Sequence, residues 1–116
     1  MTGLAEKAME EIPYITGYAA VKFNGELLSI AGEETEKNLK NIQSIVENYI
    51  SIYHSLGEYA VGIPKEILMT TSEITILIRI FYNYEFFQLA VLKKDANLGY
   101  TRYMLHHYSK AIAEEV

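Results

Sequence analysis

The chain has no cysteine, fewer basic than acidic residues and no long apolar run, and each absence closes a class of function. Without cysteine there is no disulfide, no thiolate nucleophile and no cysteine-ligated zinc. That composition is compatible with a reducing compartment, and a cytoplasmic location is the expectation. Ten Lys and Arg stand against 15 Asp and Glu, giving a formal charge of −5 and a pI near 5.2. This is the wrong balance for a protein that tracks a phosphate backbone, which needs clustered cations. Nucleic acid is therefore not an expected partner, although the total still allows a local basic patch. No apolar stretch approaches the roughly 20 residues needed to cross a bilayer, so direct membrane insertion is not expected. The N-terminal residues MTGLAEKAMEEIP are amphipathic and acidic, unlike the basic start and apolar core of a signal peptide.

What the chain does have is hydrophobic material in strand-like order. Half of its 116 residues are hydrophobic and 22% are charged, the composition of a folded domain. A chain of this length reads as one domain, residues 1–116, and buries about two-thirds of its unfolded surface. The organising stretch is Ser72–Lys94. Ile74, Ile76, Ile78, Ile80 and Tyr82 alternate with Thr75, Leu77, Arg79 and Phe81. After a tight turn, Phe86, Gln88, Ala90 and Leu92 alternate with Phe87, Leu89, Val91 and Lys93. With a side-chain period of two, both faces of this pair are largely apolar, so helices must cover both.

The remaining elements follow in order. Leu4–Ile12 carries apolar residues at helical spacing and is stopped by Pro13. Ile15–Phe23 and Glu26–Ala31 read as strands joined by Asn24-Gly25, the signature of a type I′ hairpin. Gly17, Ala19 and Ala20 leave room for close packing over the first strand. Glu33–Leu56 reads as the longest helix, with Glu33, Glu34 and Glu36 at its positive dipole end and Gly57 placed to terminate it. Its apolar stripe is wide: Ile42, Val46, Tyr49 and Tyr53 form one row, and Ile45, Tyr49, Ile52 and Leu56 a second. One row suffices to lie on a sheet, so the surplus implies another apolar contact. Glu58–Pro64 is a loop, and Lys65–Thr71 a short strand carrying Ile67, Leu68 and Met69. Asp95 is positioned to cap a final helix, Ala96–Glu115, with Leu98, Leu105, Tyr108 and Ile112 facing inward and Met104 and Ala111 beside them. The expected fold is α+β: one antiparallel sheet with helices on both faces.

No stretch carries catalytic chemistry. Gly57 to Gly62 has the glycine spacing of a phosphate-binding loop, but Ile63-Pro64-Lys65 and a strand follow instead of Lys-Ser/Thr and a helix. Thr70 to Glu73 resembles a capping box but precedes a period-two run, which makes it a turn. Adjacent His106 and His107 diverge on a helix and His54 stands apart, so no metal set is expected. The carboxylates cluster at helix ends, where solvation and the helix dipole account for them. Arg79 interrupts an apolar strand, either with its stem packed on the sheet and its head in water or as a contact to a partner's acid or phosphate. Any of the ten tyrosines left exposed would serve as interface anchors. The apolar edge strand beside an overloaded helix points to a symmetric dimer.

Ile12-Pro13 before Gly17-Tyr-Ala-Ala-Val, the Asn24-Gly25 hairpin, the long second helix and Ala96-Asn97-Leu98-Gly99 together resemble the roadblock/dynein light chain family, over nearly the whole chain. The resemblance implies a five-stranded antiparallel sheet of order 2-1-5-4-3. The long helix would lie on one face, with the N- and C-terminal helices on the other. It also implies homodimers through the long helix and third strand, here Ile42, Ile45, Val46, Tyr49, Ile52, Tyr53, Ile67, Leu68, Met69, Thr70 and Thr71. Family members act as scaffolds or regulators of Ras-like small GTPases or as dynein light chains. The functional expectation is accordingly a non-enzymatic homodimeric module, without cofactor or metal, that binds a Ras-like GTPase. The runner-up is a ligand-sensing or structural assembly domain, and an enzyme comes third.

Overall fold

A computed structural model describes residues 3–56 and 65–114; the side chain of Tyr53 is not described, and the Gly57 to Gly62 glycine motif and the Glu58–Pro64 loop lie outside those residues. The elements run α1 (Leu4–Glu11), β1 (Ile15–Lys22), β2 (Leu27–Ala31), α2 (Glu33–Lys37), α3 (Leu39–Leu56), β3 (Glu66–Thr70), β4 (Ile74–Phe81), a 3₁₀ turn (Tyr82–Tyr84), β5 (Phe86–Lys93) and α4 (Leu98–Ala113). The strands form one antiparallel sheet in the order β2-β1-β5-β4-β3, as expected.

Alternation along the strands sorts side chains into two cores. On one face Tyr18, Ala20, Leu77, Phe86, Ala90 and Leu92 pack against α1 and α4. On the other, Ala19, Val21, Ile78, Ile80, Phe87 and Leu89 pack against Ile42 and Val46 of α3. β5 is buried on both faces from Phe86 to Ala90, which follows from its central place in the sheet. Ala111, expected beside the inward row of the last helix, is exposed; Met104, Leu105, Tyr108 and Ile112 make the contact.

Local structure departs from the sequence reading at four points, each for a local reason. The long helix is interrupted at Asn38 (φ −106°, ψ 9°). There the Asn38 Nδ2 donates to the Glu34 carbonyl at 2.8 Å, and its backbone N–H is split between the carbonyls of Glu34 and Thr35. An asparagine side chain that competes for main-chain partners bends a helix in this way. The final helix begins at Leu98, capped by Asn97, whose Oδ1 accepts from the Tyr100 N–H at 2.9 Å; Asp95 lies in the preceding turn. At the first hairpin only Gly25 has positive φ (94°), and its N–H bonds to the Lys22 carbonyl at 2.9 Å. This is a three-residue turn ending in a left-handed glycine rather than a two-residue type I′ turn, which needs positive φ at Asn24 as well. Finally, Tyr82 leaves the β4 strand to open the 3₁₀ turn, with Glu85 left-handed at φ 54°.

The small residues of β1 do admit a close neighbour. A Cβ on Gly17 would stand 1.9 Å from the Oγ1 of buried Thr35, so α2 sits directly on this strand. Gly17→Ala is expected to destabilise the protein by about 1–3 kcal/mol through overpacking. Gly17→Ala combined with Thr35→Ala should cost less than the two changes summed, because the clash is removed. Urea denaturation of the four proteins checks this; strict additivity would contradict it.

Candidate interaction surface

α3 presents its two apolar rows to different surroundings. Ile42 and Val46 are 5% and 2% exposed and rest on the sheet, with Leu39, Tyr49 and Ile50 packed around them. These two residues were expected at a subunit interface; they are instead consumed by the protomer's own core, since a side chain already buried has little surface left to cover. The second row turns outward. Ile45 is half-buried, and Ile52 and Leu56 are 55% and 61% exposed. This is the helix surplus that the sequence carries, now placed on solvent.

β3 adjoins that surface. It stands at the sheet edge and, among the described residues, pairs only with β4. Ile67 and Met69 are half-buried on the α3 side, Leu68 is 43% exposed on the other, and Thr70 and Thr71 are exposed. The Thr71 hydroxyl organises the β3–β4 turn: its Oγ1 accepts from the N–H groups of Glu73 and Ile74 at 3.1 and 3.0 Å. That turn sets Thr70 opposite Thr75 and so Glu66 opposite Arg79.

This register explains Arg79. Its Nη1 donates to Glu66 Oε1 at 2.9 Å, while Arg102 of α4 grips both oxygens of the same carboxylate through Nε and Nη2, each at 2.9 Å. The acid that Arg79 meets therefore belongs to its own chain. The hydrogen bond from Arg102, then that from Arg79, holds the Glu66 carboxyl below the usual carboxylate range against the opposing effect of burial. The sequence reading missed this triad because its signal is a pairing register rather than a motif.

Other polar groups tie helices to the sheet. The Tyr18 hydroxyl, whose pKa burial pushes far up, donates to the Oε1 of Gln88. Gln88 is fully buried and passes its Nε2–H to the Leu105 carbonyl of α4 at 2.7 Å. The Tyr108 hydroxyl, its pKa also raised by burial and then by Glu11, donates to Glu11 Oε1 of α1 at 2.7 Å. None of these groups opens on a cleft with a nucleophile, and among the described residues no three His, Asp or Glu side chains gather as a metal set. His107 stacks on Tyr103 with ring centroids 6.4 Å apart, and His106 faces a separate cleft on the other side of α4. No described helix is long and apolar enough to cross a membrane.

No family model and no curated protein matches the sequence. Solved structures match the fold. A Roadblock/LC7 domain from Streptomyces avermitilis superposes with a TM-score of 0.81 at 11% identity, covering 99% of this chain and 96% of that one. MglC from Myxococcus xanthus gives 0.63 at 15% identity, over 97% and 95% of the two chains. Myxococcus xanthus MglB gives 0.69 at 14%, over 86% and 81%. The chain has the roadblock fold, built on side chains of its own.

Glu66→Gln is expected to cost about 1–3 kcal/mol near neutral pH, the range for a hydrogen-bonded charge left without its partner. Because the folded-state pKa is depressed, the stabilisation is complete above the ordinary carboxylate pKa and fades as pH falls through the folded value. The stability gap between the native protein and Glu66→Gln should therefore narrow steadily as pH is lowered from neutral. A gap independent of pH, measured by denaturant titration, would contradict the triad's ionic character.

Proposed function

We propose that this protein is a non-enzymatic, cytoplasmic homodimeric module that docks a Ras-like small GTPase. The observation that carries the reading is the outward apolar row of α3, Ile45, Ile52 and Leu56, beside the edge of β3, which among the described residues pairs only with β4. A second copy placed about a two-fold axis joins β3 to β3 and lays α3 along α3, removing both from water at once. Of the residues expected at that interface, Ile45, Tyr49, Ile52, Ile67, Leu68, Met69, Thr70 and Thr71 keep surface to offer it. The likeness in fold to Roadblock/LC7 domains supports the same arrangement, and the family resemblance of the sequence supports the GTPase as partner. Any stimulation of hydrolysis would come from ordering the GTPase's own switch segments, because the α3 row offers apolar contact and no arginine.

Light scattering is expected to give twice the 13.2 kDa of one chain. Ile52→Glu, at an exposed position that leaves the fold intact, should weaken self-association by about tenfold or more. A single-chain mass at every concentration would overturn the dimer. Pull-down of candidate Ras-like GTPases loaded with GDP or a GTP analogue tests the partner, and absence of capture in both states would overturn it.

A further inference from the structure

On the far side of the sheet from α3, the start of β3, the end of β4, the Tyr82–Tyr84 turn and the second half of α4 enclose a cleft of about 470 Å³. Lys65, Arg79, His106 and Lys110 line it, and no carboxylate does, in a chain whose acids outnumber its bases 15 to 10. The convergence is built by three elements. Lys65 leads into β3, Arg79 projects from β4, and His106 and Lys110 follow Arg102 along one stripe of α4. Lys65 and Lys110 are exposed, and among the described residues neither has a carboxylate within ion-pair distance. Arg79 commits one N–H to Glu66 and keeps its other donors. Lys110 also suits the negative end of the α4 dipole, but that accounts for one cation and not for three from separate elements. Beside the charges lie half-buried Phe81 and Tyr84, which is 51% exposed.

We propose that this cleft docks an acidic segment of a protein partner, its carboxylates on Lys65, Arg79 and Lys110 and an apolar side chain against Phe81 and Tyr84. Charge complementarity selects the sign of the partner, and the exposed aromatic beside cations is the composition of an interface anchor. The end of α4 selects peptide over a compact phosphate. Ala113, its last residue, lines the cleft, so the negative end of the helix dipole lies at its border. That end repels a concentrated dianion, whereas single carboxylates spaced along a chain can each reach one lysine. The site does not rest on the dimer and GTPase reading, which uses the outward row of α3 and the edge of β3.

The test is fluorescence anisotropy on the full chain. The probe is a labelled peptide of glutamates flanking one phenylalanine, with a lysine-for-glutamate peptide as control and inorganic pyrophosphate as competitor. The acidic peptide is expected to bind with an affinity that falls as salt rises, and the lysine peptide is not. Lys65→Glu with Lys110→Glu should weaken binding by about tenfold or more. Both side chains are exposed and neither makes a hydrogen bond among the described residues, and an unchanged thermal midpoint would confirm that the fold is kept. Tyr84→Ala should give a smaller loss, and Ile52→Glu, on the other face, should leave binding unchanged. Equal binding by the double variant, or saturation by pyrophosphate at lower concentration than the peptide, would overturn the proposal.

Discussion

Everything in this molecule depends on the double-sided apolar character of its central strands. β5 is buried on both faces from Phe86 to Ala90, and β4 is buried at Leu77, Ile78 and Ile80, with Arg79 between them answered by Glu66 and Arg102. A sheet of this kind is unstable until both faces are roofed, so the positions of the helices follow from the strands. The roofing is unequal. Two helices cover one face and bring Leu4, Ala5, Ala8, Leu105, Tyr108 and Ile112 to near-complete burial. One interrupted helix covers the other and leaves Ile67, Met69, Ile76 and Val91 only half-buried. The proposed subunit contact lies on the face where apolar cover runs short.

The two faces also differ in how they are fastened. On the α1/α4 side, directional bonds fix the helices: Gln88 to the Leu105 carbonyl, Glu66 to Arg102, Tyr108 to Glu11, and the Ala5 N–H to the Ser29 hydroxyl at 2.9 Å. On the α3 side, the Gln43 side chain reaches the Gly25 carbonyl at 3.5 Å. That length is at the outer limit of a hydrogen bond. Apolar contact is non-directional, so a helix held by it can slide or tilt at low cost, while one held by buried polar bonds cannot without stranding a donor or acceptor. α4 is thus the element whose surface is held in one shape.

These properties were unevenly legible in the sequence. Period-two alternation gave the central strands, and helical spacing gave the helices, because burial imposes both patterns directly on residue order. The surplus apolar row of the long helix was also readable, since Ile45, Ile52 and Leu56 exceed what a sheet contact uses. Which row faced inward was not, because the choice of Ile42 and Val46 depends on where Gly17 lets Thr35 and α2 approach the sheet. Asn38 and Asn97 look alike in sequence, yet one breaks a helix and the other caps one. The difference is only whether the side chain finds a carbonyl behind it or an N–H ahead. The Glu66 triad and the basic cleft were invisible because they join positions up to 45 residues apart through strand register and helix docking.

The sheet itself separates the two proposed surfaces. Along β4, Ile78 and Ile80 belong to the α3 core, while Leu77, Arg79 and Phe81 look toward α4 and the cleft. Neighbouring residues of one strand thus serve opposite faces, and a one-residue slip of β4 would exchange them. The Glu66–Arg79 pair resists that slip, because a shifted register would carry Arg79 onto the apolar face below α3 and leave Glu66 without it. An ion pair that adds modest stability therefore fixes which face is apolar and which is cationic. On this chain, keeping those faces apart is what would let one small domain meet its twin on one side and an acidic partner on the other.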